Sequence, residues 1–153
     1  MKGLNKKGST VVTAIVIVMI IFILLTTALF IAKNYEQRSI NDHAKKQAYL
    51  NGISVADVIA GQIKENNAMV LPEEGQSERQ ITNVTLPEGY GGEVTAVVRY
   101  DIYNDNINKN IVFIEVTSTY NKQIQEIQLT LQYYNNEWYK KAYSKIGERF
   151  DHE

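Results

Sequence analysis

The chain divides by polarity before any motif is sought. From Val11 to Ala32, 19 of 22 residues are apolar, and only Thr13, Thr26 and Thr27 interrupt the run. No charged residue falls between Lys7 and Lys33. At about 1.5 Å of rise per residue such a segment spans roughly 33 Å as a helix, enough to cross the hydrocarbon core of a bilayer. Beyond Ala32 there is no proline until Pro72 and no turn cluster until Glu65-Asn66-Asn67. Within that stretch apolar or small residues recur at Ile40, Ala44, Ala48, Tyr49, Ile53, Ala56, Ala60 and Ile63. Steps of three and four are the period of an amphipathic helix, and Arg38, Asp42, Lys45, Lys46 and Asp57 take the wetter positions. Gly52 and Gly61 each cost about 1 kcal/mol of helix propensity relative to Ala, so packing has to stabilise this half. The pattern predicts one helix from about Val11 to Lys64, apolar all round at first and single-striped afterwards.

After a connecting loop over residues 66–92, rich in turn chemistry at Pro72, Gly75, Pro87 and Gly89-Tyr90-Gly91-Gly92, the period changes to two. Ile81–Leu86 reads as a short edge strand. Glu93–Tyr103 sets Val94, Ala96, Val98, Tyr100 and Ile102 against Thr95, Arg99 and Asp101. Ile111–Tyr120 alternates in the same way after an Asn104–Asn108 turn, and Asn121-Lys122 is a tight turn. Ile124–Tyr133 puts Ile127, Leu129, Leu131 and Tyr133 on one side, and Glu137–Tyr143 returns after Asn135-Asn136, residues that tolerate positive φ. The expected fold is α+β: a long N-terminal helix packed on a four-stranded antiparallel meander. One sheet face is apolar, closed by the Tyr49–Ile63 stripe, and the other is wet.

Charge sharpens the division. The 121 residues Lys33–Glu153 carry 13 basic and 17 acidic side chains, so the near-neutral total of −1 hides an acidic remainder behind a basic N-terminus. No clustered basic face suggests nucleic acid as a partner. The absence of cysteine excludes disulfides, thiolate metal sites and cysteine nucleophiles. Lys2, Lys6, Lys7 and the α-amino group precede the apolar run, which predicts a single-pass cell-membrane protein with a cytoplasmic N-terminus and an extracytoplasmic C-terminal part. The run exceeds the 7–15 residues of a secretory signal's apolar region, and Ala28–Ala32 before Lys33 is a poor cleavage site. A single-pass anchor fits better.

Lys6-Lys7-Gly8 followed by Ser9-Thr10 and an unbroken apolar helix resembles the class III leader of type IV pilins. Lys46–Ile53 is similar to the segment where the helix enters the head in PilX-type minor pilins, although Asn51 stands where an acidic residue and Ser are usual. Val116–Lys122 followed by Ile127–Leu131 looks like the Thr/Ser-rich hairpin of those heads, with Asn121 in place of a turn Gly. Leader, helix and meander together cover nearly the whole chain. The resemblance implies a leader at 1–8, an anchor and assembly helix at 9–32, its amphipathic continuation at 33–65, the loop at 66–92 and the head at 93–153. It also implies cleavage between Gly8 and Ser9 by a prepilin peptidase, N-methylation of Ser9, and partnership with other pilin subunits, the assembly machinery and the membrane until the chain enters a surface filament. Two departures count against an abundant shaft subunit. The fifth mature position is Thr13 rather than Glu, and the first is Ser9 rather than Phe.

A search for chemistry finds little. His43 and His152 have no ligand or triad partner at motif spacing, and Ser9, Ser39, Ser54, Ser77, Ser118 and Ser144 form no nucleophile elbow or Ser-x-x-Lys pattern. Gly89–Gly92 lacks the Lys-Ser/Thr of a phosphate loop. Asp101, Asn104, Asp105, Asn106 and Asn108 are oxygen-rich, but without EF-hand spacing, and Asx residues serve turns for their own hydrogen bonds. Tyr100, Tyr103, Tyr120, Tyr133, Tyr134, Trp138, Tyr139 and Tyr143 suit either strand packing or an exposed contact patch. Lys140, Lys141 and Lys145 lie near them, offset by Glu137 and Glu148. No catalytic, cofactor or metal site is expected. The function expected is a minor pilin subunit. The alternatives are a pseudopilin of a type II secretion or competence DNA-uptake apparatus, an uncleaved single-pass protein displaying a small binding domain, and, least, a membrane-anchored enzyme.

Overall fold

A computed structural model describes residues 6–65, 69–81, 84–86, 90–103 and 106–147. The expectations that rest on residues 1–5, Asn66-Asn67, Thr82-Asn83, Pro87, Gly89, Asn104-Asp105, Glu148 and His152 lie outside them, as do the side chains of residues 6–9 and of Tyr103. The chain forms two compact units, Met1–Ile40 and Asn41–Glu153.

The backbone of Lys6–Lys64 is a single α-helix, α1, which starts five residues before the expected Val11. Helical structure carries backward from the apolar run through Lys6–Thr10, which contains no proline to stop it. In the first unit every side chain of Val11–Ala32 is exposed, Leu29 at 71% and Phe30 at 65%. The segment is long and apolar enough to cross a membrane. Its threonines do not spoil that character: Thr26 Oγ1 donates to the Phe22 carbonyl at 2.7 Å and Thr27 Oγ1 to that of Ile23 at 2.8 Å. Both hydroxyls are thus satisfied within the helix, as a lipid environment requires.

The second unit packs the later turns of α1 on a five-stranded antiparallel sheet in the order β1-β2-β3-β4-β5: Glu78–Ile81, Glu93–Tyr103, Asn106–Tyr120, Gln123–Tyr134 and Glu137–Ser144. The four-stranded expectation is therefore short by one. The extra strand pairs Glu78 to Arg99 and Ile81 to Ala96, three residues upstream of the expected edge strand and sharing only Ile81 with it. Four residues containing one apolar side chain give no readable period, so the strand exists because β2 offers an open edge. The Ser77 carbonyl also accepts from Tyr100 N at 2.8 Å.

β2, β4 and β5 fall within a residue of their expected limits. β3 begins five residues early because its register with β2 slips after Tyr100, and Asn108, Ile107 and Asn106 pair with Asp101, Ile102 and Tyr103. The turns at Asn121-Lys122 and Asn135-Asn136 hold all four residues at positive φ, between 44° and 65°. This is the two-residue hairpin geometry whose twist matches the strands.

The core lies between helix and sheet. Val94, Ala96, Val98 and Tyr100 from β2, Val112, Ile114 and Val116 from β3, and Ile127, Leu129 and Leu131 from β4 meet Val55, Ala56, Ile59, Ala60 and Ile63. The helical stripe keeps the expected Ala44, Ala48, Ala56, Ala60 and Ile63 inside and departs from the expected one at its margins. Tyr49 is 44% exposed, and Asn51, Gly52, Val55 and Ile59 are inside instead. Ala44, Ala48, Gly52, Ala56 and Ala60 follow at steps of four and form a low ridge that lets the backbone approach the sheet. At Gly52 a β-carbon would stand 2.6 Å from Ile127 Cδ1.

The opposite sheet face is not uniformly wet. Ile111, Phe113, Gln128 and Thr130 are buried there, and the chain after β5 turns back so that Gly147 N donates to Gln128 Oε1 at 3.0 Å.

Candidate functional site

Four features of the chain bear on function. The first is the junction at Gly8 and Ser9. Both residues lie in helical backbone, directly before the apolar segment.

The second is the helix–head junction around Asn51, which is 0% exposed. Its Nδ2 donates to the Gly91 carbonyl at 3.0 Å, and its Oδ1 accepts from Gln47 Nε2 at 2.9 Å. One side chain thereby ties the helix to the loop that enters β2. Gly91 and Gly92 have φ of 60° and 89°, and a β-carbon on Gly92 would fall 2.3 Å from the Thr119 carbonyl oxygen. The glycine pair thus makes a turn pressed onto β3, as its lack of phosphate-loop pattern implied. Asn51 was visible in the sequence only as a mismatch to the pilin pattern. The signal that identifies it is its position on the apolar stripe, where a polar residue needs buried partners.

The third is a polar latch at the rim. The Asp57 carboxylate receives hydrogen bonds from Lys140 Nζ at 2.5 Å and from the Tyr143 hydroxyl. Burial by itself would raise the Asp57 pKa. The Lys140 and Tyr143 bonds and the charges of Lys140 and Lys64 outweigh it and hold the carboxyl below its ordinary value. Tyr143 moves upward, from burial first and then from its bond to Asp57. Because the lysine and carboxylate are 39% and 43% exposed, this pair contributes little stability.

The fourth is the far side of the sheet. Arg99 pairs with Glu115 at 2.5 Å and its guanidinium lies 5.4 Å from the Phe113 ring centre. Arg99, Tyr100, Asp101, Ile102, Phe113, Gln128 and Gly147 line a cavity of about 130 Å³, room for a few waters. It brings together no nucleophile–base pair. Among the described residues, no group of three or more His, Cys, Asp or Glu could hold a metal ion. Asn104 and Asp105 of the oxygen-rich tip fall outside them.

The tyrosines divide between buried and exposed positions. Tyr100 is core, and burial raises its pKa. Tyr133 packs its ring 5.0 Å from Trp138. Tyr134, Tyr139 and Tyr143 are exposed, and Tyr139 donates to Glu137 Oε2 at 3.0 Å.

Comparison with family models, with curated proteins and with solved structures returned no match.

Proposed function

We propose that the chain is a minor subunit of a type IV pilus or related filament, held in the membrane by its N-terminal helix until assembly. The observation that carries this reading is one helix with two solvents. Val11–Ala32 presents exposed apolar side chains along its whole length, and the same α1 continues to Lys64 as the helical wall of a sheet domain. An apolar helix that fits lipid also fits a bundle of like helices, since the contacts are chemically similar in both. The basic leader ending in Gly8, placed directly before that helix, supports processing there. Prepilin peptidase would cut after Gly8, and Ser9 would become the methylated N-terminus. Thr13, lacking a carboxylate, suits a subunit present in few copies.

In this role the protein does no covalent chemistry. The helix moves from bilayer to filament, and the head displays its surface.

The unbroken helical backbone through Lys6–Ser9 favours a second reading, an uncleaved single-pass anchor with an external head. Surface shearing of the producing cells separates the two. A filament subunit is recovered with sheared filaments, and a Gly8→Phe chain is retained in the membrane. A bitopic protein stays in the membrane whether or not Gly8 is changed.

A further inference from the structure

The helix segment that packs on the sheet carries a reactive dipeptide. Asn51-Gly52 is the one Asn-Gly pair in the sequence, and both residues are buried. In an open chain such a pair attacks itself: the backbone nitrogen that follows an asparagine adds to the side-chain carbonyl carbon. Glycine promotes the attack, because it has no β-carbon to hinder the approach and its backbone turns freely.

The fold requires each of the two residues for a separate reason. At position 52 a β-carbon would stand 2.6 Å from Ile127 Cδ1 and 3.6 Å from Ser118 Cβ. Ile127 is itself buried, so glycine is what lets the helix lie this close to β3 and β4. At position 51 the side chain accepts from Gln47 Nε2 at 2.9 Å and donates to the Gly91 carbonyl at 3.0 Å, a demand that a short amide meets. Two independent packing needs therefore set a labile sequence at the join of helix and head.

The same packing keeps it silent. Within α1 the Gly52 N–H is bonded to the carbonyl four residues back. Asn51 Nδ2, the nitrogen that would leave, is held by Gly91. Asn51 is 0% exposed, so water and base do not reach it. Ring closure needs all three restraints released together, which means local opening of this helix segment from the sheet.

We propose that Asn51-Gly52 is a self-modification site that responds to opening of the helix from the sheet. The docked chain is inert there, and an opened chain converts Asn51 irreversibly to an acid that redocks poorly. In the reaction Gly52 N bonds to Asn51 Cγ, the Cγ–Nδ2 bond breaks, and the displaced nitrogen leaves as ammonia with the Gly52 proton. Water then opens the cyclic imide at either carbonyl, giving aspartate or its isomer isoaspartate. Aspartate puts a carboxylate at a fully buried position. Isoaspartate reroutes the main chain through the side chain and breaks the helical hydrogen-bond pattern. The site marks chains that have opened, whether the protein is a filament subunit or an uncleaved anchor.

The test incubates the full-length chain in mild detergent at pH 8, with and without urea, and follows each asparagine by peptide mass mapping. In urea Asn51 should convert ahead of the other asparagines. Without urea its conversion should be slower by about a hundredfold or more, because the rate then follows the population of the open form. Leu129→Ala, which loosens the core beneath the helix, should speed conversion without urea by about tenfold or more and leave the urea rate unchanged. If Leu129→Ala does not fold it should convert at its urea rate, and the milder Ile59→Val, in the same core, should then give an intermediate rate. Chains converted in urea and returned to buffer should be cut by a protease within residues 41–64 about tenfold or more faster than unconverted ones. Equal rates with and without urea, another asparagine converting ahead of Asn51 in urea, core variants that leave the native rate unchanged, or converted chains as protected as the parent would each overturn the proposal.

Discussion

Replacing Asn51 by Asp tests the account of how helix and head are joined, and it changes only an amide into a carboxylate of nearly the same shape. Asn51 is fully buried and both halves of its amide are used, one donating to the Gly91 carbonyl and the other accepting from Gln47. Aspartate keeps the bond from Gln47 but turns an acceptor toward the Gly91 carbonyl, and places a charge at a fully buried position. Loss of a neutral buried hydrogen bond costs about 1–3 kcal/mol, and an uncompensated buried charge about 3–5 kcal/mol. At neutral pH the penalty should therefore be about 3–5 kcal/mol, a large share of the 5–15 kcal/mol typical of a domain. That corresponds to a fall in Tm of about 10–20 °C.

Protonation relieves it, since the acid can donate to Gly91 again. Burial raises the native pKa of the new group above its unfolded value of about 3.9, so the loss is small below that pH and grows as pH rises through the native value. Asn51→Ala should cost about 1–3 kcal/mol at every pH. The assay is thermal or urea unfolding of the full chain in mild detergent. It can be followed by the single tryptophan, Trp138, which packs against the core and near Tyr133. An Asn51→Asp chain as stable at pH 7 as the parent, or one whose deficit is the same at pH 4 and pH 7, would refute the reasoning.

Other outcomes follow from the same packing. Leu129→Ala removes a fully buried side chain from the middle of the sheet and should cost about 2–5 kcal/mol in urea unfolding. Gly92→Ala meets both a φ of 89° and the Thr119 carbonyl, so at least about 2 kcal/mol should be lost. Gly61→Ala has open space around it and should stabilise by about 0.4–1 kcal/mol. The Asp57 latch gives a pH effect of known sign. Its carboxyl is held below the ordinary 3.8, so its contribution is complete above that value and disappears as pH falls through the native pKa. For so exposed a pair the difference between parent and Asp57→Asn should be only about 0.2–1 kcal/mol at pH 7, and should vanish in acid.

Much of the fold is legible in the sequence because each half obeys one strong period. Val11–Ala32 needs only its lack of charge, and the alternation of Val94, Ala96 and Val98, or of Ile127, Leu129 and Leu131, fixes both strand and inward face. The Asn121-Lys122 and Asn135-Asn136 turns follow from the tolerance of asparagine for positive φ. What escaped depends on contacts across the chain. β1 is too short and polar to show a period, and forms on the edge that β2 presents. Gly52 looks like a weak point of the helix until Ile127 is seen beneath it. Asn51 looks like a departure from a motif until Gly91 is found opposite. Phe113 and Gln128 read as residues of a wet face because the chain returning to Gly147 has no pattern of its own. Of the candidate site, the apolar helix is legible outright. The leader is legible only as a short motif, since a glycine before a membrane helix also suits an ordinary anchor.

The measurement that bears most directly on the central claim is the intact mass of the chain extracted from the membrane of cells that produce it. A filament subunit of the proposed kind should begin at Ser9 and carry one added methyl group, with residues 1–8 and their three lysines gone. Gly8→Phe should leave those residues in place. A mature parent chain that retains Met1–Gly8 would contradict the account.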